Sequence, residues 1–170
     1  NYIKKNIPGV KWDTDNAGNL LVTKGESETY PCICSHMDQV SNHIHPGDFK
    51  VGSDGKNLFA ISLEKGSFCG IGADDKNGIY VALECLKKYD VLKCAFFVSE
   101  EIGCVGSRSV DLKFFDDCRF ALQVDRRGNS DLISSITGEI CSEEFVKDIN
   151  PEEWGYKSTD GTTIDVDELK

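Results

Sequence analysis

Three short apolar runs, Tyr30–Ser35, Leu92–Ser99 and Phe120–Val124, constrain this chain more than any other feature. Each has the length of a strand, and the first reads as buried on both faces. Between the first two lie a glycine-rich approach, Gly70-Ile71-Gly72-Ala73, and a segment from about Asp75 to Tyr89. Within that segment Ile79, Ala82, Leu83 and Leu86 recur at helical spacing. Leu20–Thr23 and Asp131–Ile136 read as further strands, and Phe49–Val51 with Leu58–Ile61 as a hairpin or two edge segments. Gly103–Val110 predicts a short helix, and Glu143–Asp148 a weak one. Strands alternating with helices predict an α/β fold, a three-layer sandwich with a mostly parallel central sheet and flanking helices. A length of 170 residues suits one domain, residues 1–170.

Charge narrows the partners. Lys and Arg number 19 against 29 Asp and Glu, a net charge of −10. That balance opposes nucleic-acid phosphates and anionic membranes alike. No apolar run approaches the ~18 residues of a membrane-crossing helix. Eight cysteines would suit a disulfide scaffold only in a loop-rich chain. Here they fall mostly inside apolar runs, such as Pro31-Cys32-Ile33-Cys34, where a thiol acts as a small hydrophobe. A reducing, cytoplasmic setting without disulfides is the expectation.

In open parallel sheets, ligands bind beyond the carboxyl ends of the strands. The first run is followed by His36-Met37-Asp38, the second by Glu100-Glu101 and the third by Asp125, while the helix opens on Asp74-Asp75. One imidazole and several carboxylates suit Zn²⁺, with Mn²⁺ or Co²⁺ as less discriminated occupants. So many acids at one edge repel one another unless cations intervene. Two divalent ions about 3.5–4 Å apart would offset that repulsion and share an activated water. In His36-x-Asp38 the carboxylate is a candidate to orient the imidazole. Each acid also has a plainer reading: Asp74 and Asp75 as helix caps, Glu100-Glu101 as a solvated pair, Asp125 as a salt-bridge partner of Arg126 or Arg127. Those arginines could instead meet a substrate carboxylate.

Together, Ser35-His36-Met37-Asp38, Gly72-Ala73-Asp74-Asp75-Lys76-Asn77-Gly78 and Ser99-Glu100-Glu101-Ile102-Gly103 resemble the signatures of co-catalytic dizinc peptidases of the peptidase T and carboxypeptidase G branch. Asp15–Leu20 and Leu122-Gln123-Val124-Asp125 fit the same pattern, as does Thr159-Asp160-Gly161 near the end. The resemblance implies two zinc ions held by His36, Asp74, Glu101 and Asp125, with Asp74 bridging both and Asp38 orienting His36. It implies that Glu100 is the general base and acid, and that Thr159, Asp160 and Gly161 contact substrate. The implied reaction is hydrolysis of an amide in a small peptide, by an aminopeptidase or di/tripeptidase. Deacylation of acylated amino acids and a non-catalytic relative of the same fold are the alternatives.

Two departures from that pattern stand out. The family carries one more histidine ligand near its C-terminus, and no histidine follows His45 here. Val166–Lys170 reads as the start of an element that goes on, so the expectation is a chain that stops short of that ligand. Peptidase T-like enzymes also insert a lid and dimerisation domain before the Thr-Asp-Gly segment. Only 35 positions lead from Asp125 to Asp160, too few for a domain, so a bare catalytic domain is expected. His43 and His45 read as surface residues. Cys34 reads as an inert core thiol, and Gly66–Gly78 lacks the Gly-Lys-Ser/Thr of a phosphate-cradling loop.

Overall fold

The structure, a computed structural model, describes residues 2–40, 47–136, 138–161 and 169. His43, His45 and most of Val166–Lys170 lie outside them. The elements in chain order are α1 (Tyr2–Asn6), β1 (Val10–Thr14), β2 (Leu20–Lys24), β3 (Tyr30–His36), β4 (Phe49–Ser53), β5 (Leu58–Ser62) and β6 (Phe68–Cys69). They continue with α2 (Ala73–Lys88), β7 (Leu92–Phe97), α3 (Val105–Ser109), β8 (Cys118–Gln123), β9 (Asp131–Ser135), α4 (Glu143–Ile149) and β10 (Lys157–Asp160).

The central sheet has five strands in the order β1-β2-β7-β3-β8. β3 pairs in parallel with β7 on one side and β8 on the other. β1 and β2 are antiparallel additions, so the sheet is mixed rather than mostly parallel. The turn at Asp15–Asn19 sets the first of these two pairings. The Asp15 carboxylate accepts the N–H groups of Ala17 and Asn19 at 3.0 and 2.9 Å, folding the chain back at once. A turn this short can join only antiparallel neighbours. β9 is also absent from the central sheet and forms a two-stranded parallel sheet with β10. β4, β5 and β6 make a separate antiparallel sheet between β3 and α2 in sequence.

Alternation along β3 and β7 fills both faces. Ile33, Cys94 and Phe96 join Val22 under α1 and α2, against Ile3, Ile7, Ala82 and Leu86. Cys32, Cys34, Ala95 and Phe97 point the other way, toward Val110, Phe114 and Phe115. All six residues of β7 are buried, as a strand covered on both sides must be. Full burial of a side chain such as Leu86 or Phe97 stabilises the fold by about 1.5–3 kcal/mol. All eight cysteines are free thiols, and Cys32, Cys34, Cys94 and Cys104 are buried. No helix among the described residues is long and apolar enough to cross a membrane.

β7 ends at Phe97, two residues before the apolar run does. The N–H of Val98 leaves the ladder and donates to Asn19 Oδ1 at 3.1 Å. Asn19 is fully buried, and its amide also donates to Gly106 O at 2.9 Å and Asp15 Oδ2 at 2.8 Å. Each of its groups is thereby satisfied, and the β1–β2 turn is tied to the end of β7 and to α3. Gly106 permits this approach, since a Cβ there would lie 2.4 Å from Asn19 Oδ1.

Candidate active site

The parallel trio β7-β3-β8 ends at one edge, and its three ends carry the chemistry. His36 is the last residue of β3 and is fully buried. Its Nε2 lies 2.9 Å from Asp74 Oδ1, 3.7 Å from Asp125 Oδ2 and 3.9 Å from Glu100 Oε2. Its Nδ1 lies 3.4 Å from Asp38 Oδ1 but makes no hydrogen bond. Asp38 instead accepts the backbone N–H of Glu100 at 3.1 Å and of Glu101 at 3.2 Å, one on each oxygen. It thus joins the end of β3 to the turn after β7.

That turn is sharply bent. Ser99 and Cys104 have positive φ of 58° and 55°, a backbone region that costs a residue with a side chain about 1–2 kcal/mol. Glu100 O accepts the N–H groups of Gly103 and Cys104, both at 2.9 Å, which holds the turn closed. The thiol of Cys104 donates to Glu100 Oε1 at 3.7 Å.

Asp74 and Asp75 part company at the start of α2, where both have non-helical backbone angles. Asp74 is largely exposed and faces His36. Asp75 is buried and accepts Gly78 N–H at 2.9 Å, as a helix cap would. It also accepts the N–H of His36 at 3.3 Å, while its own carbonyl accepts Ser35 Oγ–H at 3.4 Å. So Asp75 fixes the end of β3 to the helix. Gly78 has no alternative at its position, because a Cβ there would lie 2.4 Å from the Asp75 carboxylate.

Burial and crowding shift the protonation equilibria. Burial pushes Asp125 up to about 7, with the charges of Asp75, Asp74 and Glu100 adding to it and His36 opposing. Glu100 is also raised, first by burial and then by Glu101 and Asp38, against the pull of His36. Burial raises Asp75 too, offset by its hydrogen bonds. For His36, burial alone would depress the pKa. The hydrogen bond with Asp74 and the charges of Asp125, Glu100 and Asp75 prevail and raise it.

Two triads of possible ligands emerge, His36 with Asp74 and Glu101, and His36 with Glu100 and Asp125. Within each, the ligand atoms lie within 4.8 Å of one another. His36 Nδ1 and Glu101 Oε1 are buried without hydrogen-bond partners. A buried carboxylate oxygen without a donor, in a crowd of acids with raised pKa values, is the arrangement a divalent cation relieves. The donors, oxygen and imidazole nitrogen, suit zinc and manganese-like ions. The residues present therefore fit such an ion.

Arg126 donates both Nε and Nη2 to Asp131 Oδ2, at 3.1 and 2.7 Å, rather than pairing with Asp125. Asp125 receives Gln123 Nε2 at 3.2 Å. Arg126 and Arg127 line a cleft of about 500 Å³ with Asp74 and Asp125. Thr159, Asp160 and Gly161 lie at the end of the β9–β10 sheet. There Thr159 Oγ1 donates to Asp131 Oδ2 at 3.1 Å, and Gly161 N–H donates to Ser135 O at 2.8 Å. Of the three, Thr159 shares Asp131 with Arg126, which lines the cleft beside Asp74 and Asp125. Asn19, Asp75 and Cys104 also support the site. In the sequence Asn19 reads only as part of a turn and Asp75 as a capping position, and Cys104 carries no local signal.

No protein-family model and no curated protein matches the chain. Solved structures do. A tripeptidase from Staphylococcus aureus shares 22% identity over 75% of this chain, with a TM-score of 0.57. The aminopeptidase PepT from Bacillus cereus shares 23% over 75%, with a TM-score of 0.54. The match covers 37% of the length of each of these two proteins. The TET1 peptidase of Pyrococcus horikoshii shares 15% identity over 99% of this chain and 79% of its own, with a TM-score of 0.62. The α/β fold of this chain is thus one that peptidases use.

Proposed function

We propose that this chain is a catalytic domain of a metal-dependent peptidase that hydrolyses the amide bonds of small peptides. The observation that carries the proposal is the convergence of His36, Asp74, Glu100, Glu101 and Asp125 on one edge of the parallel trio. The fold shared with a tripeptidase and an aminopeptidase supports it. Two zinc ions, or cobalt or manganese in their stead, are the proposed cofactors, with His36, Asp74, Glu101 and Asp125 as ligands. Bound there, such ions polarise a carbonyl and lower the pKa of a water.

The chain's own groups divide the remaining work. Asp38, anchored on two backbone N–H groups, sets the turn that carries Glu100 and Glu101, and at 3.4 Å from His36 Nδ1 it is the proposed orienting partner of the imidazole. Glu100 takes the proton of the attacking water and returns it to the leaving amine. Its raised pKa brings it nearer to the neutral range where both halves of that task are feasible. Thr159, Asp160 and Gly161 are proposed substrate contacts, and Thr159 shares Asp131 with Arg126. The excess of acids draws a cationic peptide amine toward the site.

The test is elemental analysis of the full protein combined with a panel of di- and tripeptides assayed with and without chelator. Bound zinc and chelator-sensitive release of amino acids support the reading. A protein that neither binds zinc nor cleaves any peptide overturns it.

A further inference from the structure

β1 is one of the two outer strands of the central sheet. Four of its five residues are exposed, and Trp12 keeps 48% of its surface in water. Across the turn to β2 the N–H of Asp15 donates to Asn19 O at 3.1 Å. Antiparallel ladders alternate, so the residues of β1 that bond to β2 are Asp13, opposite Leu21, and Lys11, opposite Thr23. The N–H and C=O groups of Val10, Trp12 and Thr14 therefore face away from β2. Among the described residues no strand meets them there. Thr14 N–H donates instead to the neighbouring Asp13 Oδ1 at 2.8 Å. Such an outward row is a template for a further strand.

The sequence of the strand selects the partner. Val10-Lys11-Trp12-Asp13-Thr14, laid antiparallel on a second copy about Trp12, sets each Lys11 opposite the partner's Asp13. The outward groups match this register. Trp12 can exchange both bonds with the partner's Trp12, and Val10 with the partner's Thr14. Lys11 and Asp13 then occupy the pairs without hydrogen bonds, where Cα atoms are about 4.5 Å apart and side chains are closest. Sliding the register by two residues, one way or the other, sets Lys11 against Lys11 or Asp13 against Asp13. We infer that β1 is a self-complementary edge through which two copies of this chain pair, antiparallel and centred on Trp12, joining their five-stranded sheets into one. Opposite charges directly across a strand pair stabilise it, and the two Trp12 rings cover each other. Lys11 Nζ lies 3.4 Å from Glu26 Oε1, but the two side chains are 79% and 89% exposed, so that ion pair holds Lys11 only weakly. Each copy carries a net charge of −10, so association depends on the local match. The edge uses no residue of the acidic cluster and stands or falls apart from the peptidase reading.

Sedimentation equilibrium of the full protein tests the pairing. A monomer–dimer equilibrium with a Kd of about 10 μM is expected, weak because five residues a side fall short of a standard interface. Lys11→Asp and Asp13→Lys each bring like charges face to face and should weaken the dimer by about tenfold or more. Both positions are exposed, so an unchanged melting temperature is expected. Mixed in equal amounts, the two single variants regain opposite charges across the edge and should pair with each other. The Lys11→Asp/Asp13→Lys double variant should pair with itself. Both should return to within about threefold of the original Kd. A protein that stays monomeric up to about 500 μM overturns the inference. Single variants that dimerise as well as the original also overturn it, since the contact then lies elsewhere. Single variants that weaken the dimer without recovery in the mixture or the double variant refute the register and the inference with it.

Discussion

The bodies of β3, β7 and β8 and their carboxyl ends are built on opposite terms. Within the bodies, Cys32, Ile33, Cys34, Ala95, Phe96 and Phe97 pack in alternation against the layers on each face. At the ends, within a few residues, the chain gathers five carboxylates around one imidazole, bends through two positive-φ residues and leaves two buried polar atoms unpaired. The bodies supply the stability and the ends draw on it. Strain and repulsion persist at a site only where the surroundings over-determine its geometry, as Asn19, Asp38 and Asp75 do here.

This contrast can be broken at several points. Phe97→Ala should destabilise the protein by about 3–5 kcal/mol, read as a shift of the urea midpoint, because it opens a cavity beneath a fully buried ring. A loss below about 1 kcal/mol would show that the strand bodies are not what holds the fold. Glu100→Gln should lower peptide hydrolysis by about a hundredfold or more while leaving the melting temperature equal or higher. Retained activity would remove Glu100 from the role of base.

Asp125→Asn should stabilise the metal-free protein by about 0.5–2 kcal/mol, since it deletes a buried charge beside three other acids. The same change should reduce the zinc bound per chain. A destabilised metal-free variant would mean that the carboxylate is well paired after all. The same crowding makes stability depend on pH. Asp125 rises from 3.8 unfolded to about 7 folded, so over that interval the native state holds more protons than the unfolded one. Stability of the metal-free protein should therefore fall as pH climbs from about 4 to about 7. The raised pKa of His36 acts in the same direction, its contribution being present below 6.5 and lost as pH rises through the folded value. Zinc should flatten the slope. Chemical denaturation at several pH values, with and without zinc, measures it, and stability that rises with pH in the metal-free protein would contradict the crowding.

Much of this arrangement was legible because strand bodies and strand ends are written differently in the sequence. An apolar run that stops at His36, Glu100 or Asp125 marks both the strand and the edge where its chemistry is displayed. The helix over Ala73–Lys88 was visible from Ile79, Ala82, Leu83 and Leu86 for the same reason. The direction of β2 was not, because Leu20–Lys24 is equally apolar in either orientation and only docking against β7 decides. β1 is not legible in the sequence, because four of its five residues are exposed and leave no burial pattern. The tie from Asn19 to Val98 and Gly106 spans 79 and 87 positions, and no local signal encodes a partner so distant. Asp75 looked like a cap and is one, yet its second bond, to His36, exists only once helix and strand are side by side.

The β4–β6 sheet lies in the chain between His36 and Asp74, two side chains that touch across 2.9 Å. Its entry point is pinned to the central sheet by β3, and its exit point by α2 and Asp75. The segment between them is thus a cassette whose two hinges are fixed by residues outside it. The contact between His36 and Asp74 is thus held by β3 and the start of α2 rather than by the sheet that separates them in the chain. Substitutions confined to the exposed face of the β4–β6 sheet should therefore leave that contact in place.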